Sequence, residues 1–241
     1  MSRRLKLAGA IAAAAAALAL LGGPWVYINV IREPAPESFL DESGVTSSPT
    51  SGNTTVGSSD DSATPTITLD DPSGTWQVTT ESQVGYRVDE VLFGQNVTAV
   101  GRTNSVTGSL VIENDVVASG EFVVDMTTVR SDEPKRDAQF ESRIMDVINY
   151  PTATFVLSSP ITLAPTSTTT PTTNTASGEL TLRGITKPVS VSVVGEVRDG
   201  RIVVTGELTV TFSDWEIPNP SIPGISTEDF GILEFQLVLE R

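Results

Sequence analysis

From Trp76 onward, apolar and polar residues alternate along most of the chain, the two-residue period of half-buried strands. Val84, Tyr86 and Val88 alternate with Gly85, Arg87 and Asp89. Val106, Leu110 and Ile112 share one parity, interrupted at Gly108, and Phe122, Val124 and Met126 share another. Val189, Val191 and Val193 alternate with Ser190, Ser192 and Val194. Ile202, Val204, Leu208 and Val210 come next, with Gly206 where a bend fits, and Phe235, Leu237 and Leu239 close the pattern. Glu113-Asn114-Asp115, Ser158-Ser159-Pro160 and Asp199-Gly200 are turn signals between these runs. About eight strands with short connections predict an antiparallel up-and-down sheet, closed into a barrel or folded as a sandwich.

One segment breaks the alternation. Between Ser131 and Asn149, Phe140, Ile144, Val147 and Ile148 recur at three- and four-residue spacing, which predicts one amphipathic helix. Ser131 with Pro134 supplies its start and Tyr150-Pro151 its stop. Such a helix in an all-β domain suits the end of a barrel.

The first 74 residues have a different character. Arg3, Arg4 and Lys6 precede an uncharged run from Leu7 to Ile31, 25 residues that span about 37 Å as a helix, more than a bilayer core of about 30 Å. Trp25 and Tyr27 suit an interfacial belt. Two readings compete: a signal anchor over 7–31 behind a cytoplasmic tip, 1–6, or a cleaved signal peptide. A poor cleavage site, with Leu21 and Pro24 flanking Gly23, favours the anchor, which exports everything after Arg32. Residues 32–74 read as a linker. From Ser43 to Thr66, 18 of 24 residues are Ser, Thr, Gly or Pro, too few apolar groups to offset ordering entropy. Pro165 to Ser177, with 11 of 13 residues Thr, Ser or Pro, reads as an exposed loop within the domain at 75–241.

Charge and composition narrow the function. The chain carries 15 basic and 30 acidic residues, a net charge of −15, and the part after Gly74 keeps 11 against 22. That balance repels phosphate backbones, so nucleic acid is not expected as a partner. Without Cys or His the chain has no disulfide, no thiolate or imidazole metal site and no Ser-His or Cys-His nucleophile pair. Asp60-Asp61 and Asp70-Asp71 lie in or beside the linker, and no calcium-loop pattern is present, so no metal or other cofactor is expected. Glu228-Asp229 has no evident partner carboxylate for hydrolysis. These features point to a binding or structural protein, not an enzyme.

Two motifs carry a resemblance. The run RDAQFESRIMDVINYPTATF, Arg136 to Phe155, and the run GELTLRGITKPV, Gly178 to Val189, resemble the two signatures of the YceI family. Trp76 and the Ser82-x-Val84-x-Tyr86-x-Val88 pattern fit its opening strand. The likeness covers about Trp76 to Arg241. Gln139 stands where family members often carry His, and Asp229-Phe230-Gly231 comes after an inserted Pro-rich stretch. The apolar N-terminus and the Pro/Thr loop resemble the actinobacterial, membrane-tethered branch of that family.

The resemblance implies a lipocalin-like, closed antiparallel β-barrel of about eight strands holding a polyisoprenoid or related lipid in its lumen, beyond a membrane anchor and on the extracytoplasmic side. Val84, Tyr86, Val88, Phe122, Val124, Val191 and Val193 are then the candidate lumen residues; the alternative is that they fill a solid core. Arg136, Asp137, Phe140, Ile144 and Met145 are candidates for a mouth, although a local ion pair or cap is the more ordinary role for Arg136 and Asp137. A β-domain acting as an envelope interaction or stress-response module, with Trp215–Pro223 or Pro165–Ser177 as its recognition loop, is the competing function.

Overall fold

The computed structural model describes residues 34–42, 71–163 and 171–241. Thirteen strands form one antiparallel sheet: β1 (Gly74–Val78), β2 (Gln83–Leu92), β3 (Gln95–Thr103), β4 (Val106–Glu113), β5 (Val116–Asp125), β6 (Arg130–Ser131), β7 (Thr152–Leu157), β8 (Ile161–Thr162), β9 (Thr172–Leu182), β10 (Ile185–Arg198), β11 (Arg201–Thr211), β12 (Ile225–Thr227) and β13 (Phe230–Glu240). β1 and β2 act as one kinked strand against β3 and β4. Gly74 pairs with Ile112, Val84 with Thr103 and Leu92 with Gln95 in nearly constant register. β13 pairs with both halves, through Phe235 to Val84 and through Glu240 to Gln77, and so closes an eight-strand barrel.

At the kink the ladder is repaired by a side chain. The fully buried Ser82 hydroxyl donates to the Val238 carbonyl at 3.2 Å and accepts from its N–H at 2.9 Å. Nearby, Trp76 and Leu239 are almost wholly buried between β1, β4 and β13, and the indole of Trp76 donates to the Pro72 carbonyl at 2.8 Å. Two hairpins turn where predicted. Asn114-Asp115 and Asp199-Gly200 have positive φ at both positions (48° and 63°, 52° and 77°), the geometry that matches strand twist in a tight hairpin.

The helix is shorter than the periodicity predicts. It comprises α2 (Pro134–Gln139), the second helix among the described residues, and a π turn over Phe140–Ile144, closed by the Met145 N–H on the Phe140 carbonyl at 2.8 Å. Its cap is Glu133, whose carboxylate accepts from Lys135 N, and not Ser131, which lies in β6. Asp146 then turns to positive φ, so helical spacing no longer governs the next residues: Val147 is buried but Ile148 is 88% exposed. The Thr-rich stretch also differs from its reading as a loop. From Thr172 it is strand β9, with Thr173 opposite Val194 and Thr175 opposite Ser192, because β-branched Thr fits a pleated wall when β10 supplies the partner.

A second difference concerns the linker. Residues 34–42, including the single turn α1 (Phe39–Glu42), pack on the outer wall. There Glu234, fully buried on β13, is paired with Arg87 at 3.3 Å and Arg102 at 2.9 Å. Each guanidinium uses another nitrogen on the segment: Arg87 donates to the Pro36 carbonyl at 2.6 Å and Arg102 to that of Glu37. Arg102 also lies 4.0 Å above the ring of Phe39, itself 2% exposed. Among the described residues no helix is long and apolar enough to cross a membrane; the predicted anchor, 7–31, and the acidic residues Asp60, Asp61 and Asp70 lie outside them.

Candidate ligand-binding lumen

Alternation dictates what faces inward. On β2 the even residues point into the barrel while Arg87 and Asp89 point out, and alternation likewise sets the inward side of β5, β9 and β11. The inward set encloses a cavity of about 730 Å³. Val84, Tyr86 and Val88 line it from β2, Phe122 and Val124 from β5, and Val191 and Val193 from β10. Phe155, Leu180, Leu208 and Phe235 line it from β7, β9, β11 and β13. These four are absent from the candidates, yet the same alternation marks them.

Aromatic rings lie against the wall because glycines face them. Gly101 is opposite Tyr86, and a β-carbon there would sit 2.4 Å from its ring. Gly206 is opposite Phe235, where the same substitution would come within 2.6 Å. A larger residue at either position pushes a ring into the lumen, so these glycines preserve its volume.

The helix and the connection between β11 and β12 cover one end of the cavity. Phe140 stacks on Tyr86 with ring centroids 5.1 Å apart and planes 12° from parallel. Ile144 and Met145 complete the inner surface of the plug, and Phe140, Ile144, Met145 and Arg136 all line the cavity. Arg143 ties the plug to the connection by donating to the carbonyls of Asn219 at 3.0 Å and Pro220 at 2.9 Å. Asp137 does not line the cavity. Its carboxylate accepts from the Ser131 N–H at 2.8 Å and hydroxyl at 2.6 Å, which fixes the entry to the helix. Arg136 faces Glu90 at 3.7 Å and also pairs with Asp132.

The electrostatics of the lining are polarised along the barrel. Glu90, Glu133, Lys135 and Arg136 reach the cavity at the helix-bearing end, and Asp115 and Glu196 at the far end; the wall between is mostly aliphatic and aromatic, with the Tyr86 hydroxyl, Thr154 and Asn174 as uncharged polar groups. Burial pushes that hydroxyl well above the usual tyrosine range, against a smaller opposing pull from Arg136. Among the described residues there is no group of three or more His, Cys, Asp or Glu placed to hold a metal. Lys187 lies in β10 opposite Leu180, 3.3 Å from Asp214 and 5.8 Å from the Trp215 ring. Trp215 and Ile217, in the predicted recognition loop, are buried instead. The arrangement is suited to enclosing an uncharged chain.

The YceI-like domain model matches residues 76–239. Among solved structures, BcnA of Burkholderia cenocepacia superposes with a TM-score of 0.53 at 20% identity, over 67% of this chain and 98% of that one. A polyisoprenoid-binding domain from Saccharophagus degradans, implicated in plant cell wall breakdown, gives a TM-score of 0.54 at 14% identity, over 69% and 97%. Likeness at such identity establishes a shared fold, and function rests on the site. No curated protein matches the chain.

Proposed function

The chain belongs to the YceI-like domain family, and on that premise we propose that its barrel binds and carries a long apolar ligand, a polyisoprenoid or related lipid, in its lumen. The observation that supports this is the cavity: about 730 Å³ walled by apolar side chains from all eight barrel strands, with its charged groups confined to the ends. Each methylene withdrawn from water contributes roughly 0.8 kcal/mol, so a prenyl chain needs no charged clamp along its length. The polar ends suit a head group left at the rim. The protein acts as a carrier and not as an enzyme, in keeping with a chain that has neither His nor Cys.

The uncharged run from Leu7 to Ile31 behind Arg3, Arg4 and Lys6 supports a single-pass anchor with the barrel on the extracytoplasmic side, the arrangement of a membrane-tethered, actinobacterial-type member. A carrier so placed exchanges cargo with the envelope lipids beside it.

Replacing Phe122, which faces the lumen from β5, by Asp places a carboxylate against the ligand. Full-length wild-type and Phe122→Asp chains, purified in detergent from the native host, are extracted with organic solvent and the extract analysed by mass spectrometry. The wild type yields a long-chain lipid in stoichiometric amount and the variant, with unchanged circular dichroism, yields none. Equal lipid in both folded chains would remove the lumen as the binding site.

A further inference from the structure

The large apolar side chains that remain exposed are concentrated at one end of the barrel. Phe93 (64% exposed) tips the β2–β3 hairpin, Ile148 (88%) and Tyr150 come after the π turn, Ile222 lies in the connection before β12, and Val91 and Phe230 flank them on β2 and β13. Of the exposed large hydrophobic residues described, only Val156, on β7, lies elsewhere. This is the end at which Leu92, Ile222 and Ile225 line the cavity. An apolar rim outside a mouth that also carries Glu90, Glu133, Lys135 and Arg136 is the surface expected where a lipid chain enters the lumen while its polar head stays at the interface.

The route of the N-terminal segment gives an independent bearing. Pro36 is held by Arg87 and Glu37 by Arg102, which pairs with Gly85, two residues further from the β2–β3 tip. From Pro36 to Glu37 the chain therefore runs away from the helix-bearing end. The uncharged run ends at Ile31, five residues earlier, and five residues reach at most about 18 Å. Leu92 lies five residues along β2 from Arg87, about 17 Å. Glu240, at the far end of β13, lies eight residues from Ile232, about 27 Å and out of reach.

Resting on the anchor reading above, we infer that the helix-bearing end is the membrane-facing mouth: Phe93, Ile148, Tyr150 and Ile222 dip into the lipid surface while the docked segment 34–42 holds the barrel upright. This end carries both signs of charge, Asp132, Glu133 and Glu228 with Lys135, Arg136, Arg143 and Arg183, so the contact is carried by the apolar side chains.

The absence of Cys makes the test direct. Full-length Ile148→Cys and Ser159→Cys chains, the second at the β7–β8 turn of the far end, are labelled with a polarity-sensitive dye and reconstituted into phosphatidylcholine vesicles containing nitroxide lipid. The label at 148 shifts to the blue and loses most of its emission to the nitroxide, and the label at 159 does neither. Flotation after carbonate washing tests the anchor separately. Floating chains with an aqueous label at 148 would overturn the orientation alone and assign the rim to a protein partner; chains released by carbonate would overturn the anchor reading and this inference with it.

Discussion

The two faces of the β2–β13 wall solve opposite problems. Its inner face presents Val84, Tyr86, Leu233 and Phe235 to a cavity, apolar groups left without a full set of partners. Its outer face buries Glu234, a group that is costly to desolvate, and surrounds it with Arg87 and Arg102 under a segment brought from the N-terminal side of the domain. The outer face has directional contacts fixed to one geometry, as a structural joint requires. The inner face has contacts without direction, which accept any chain that excludes water. Where specific bonds are made the protein is building itself; where they are withheld it has left room for something else.

Substitutions on the two faces should therefore differ in kind. The largest loss of stability is expected outside the barrel. Phe39→Ala removes the ring beneath Arg102 and should cost roughly 3–5 kcal/mol in denaturant unfolding, with lipid content unchanged while the chain remains folded. Within the wall, Gly101→Ala drives a methyl group toward the Tyr86 ring. Overpacking of about 1–3 kcal/mol is expected, together with a smaller lumen and weaker lipid retention in titrations with a prenyl lipid.

Lumen truncation should be milder. Val124→Ala, at a half-buried position on the lumen, loses mainly the transfer free energy of its methyl groups, about 1.5 kcal/mol, with little new cavity penalty. A loss above about 3 kcal/mol by the same unfolding measurement would mean that the lumen is packed as a solid core.

The smallest effect at neutral pH belongs to Tyr86→Phe. Tyrosine in the unfolded chain ionises near pH 10, whereas burial in the barrel holds the Tyr86 proton to higher pH. The folded state thus keeps a proton that the unfolded state releases. This contribution is fully present below about pH 10 and is lost as pH rises above it. Stability of the wild type should fall more steeply than that of the variant above pH 10, and a pH series of unfolding midpoints reads the difference.

The inner face was legible in the sequence because it obeys one short-range rule. Val84, Tyr86, Phe122, Val124 and Val191 reveal their side by their neighbours two residues away, and the Asp199-Gly200 turn reveals itself by composition. The outer joint was not legible. Glu234 sits on the polar parity of its strand, where acids are ordinarily solvated, and its partners are 132 and 147 residues away. The segment that covers it lies within a linker whose only local hint is the adjacent pair Phe39-Leu40. Helical spacing failed beyond Met145 because the turn at Asp146 depends on positive φ at a residue whose type does not demand it. Threonine content hid the start of β9 because composition cannot say whether a neighbouring strand is present to pair with it.

The central claim, that an apolar chain lies inside the barrel, is tested most directly by photocrosslinking. The full-length protein in phosphatidylcholine vesicles is irradiated with a diazirine-bearing polyprenyl probe, and the modified residues are mapped by peptide mass spectrometry. Adducts on inward positions such as Phe122, Val124, Leu180 and Val193, competed away by unlabelled prenyl lipid, are the predicted result. Adducts confined to the exposed rim at Phe93 and Ile148, with the inward positions unmodified, would contradict it.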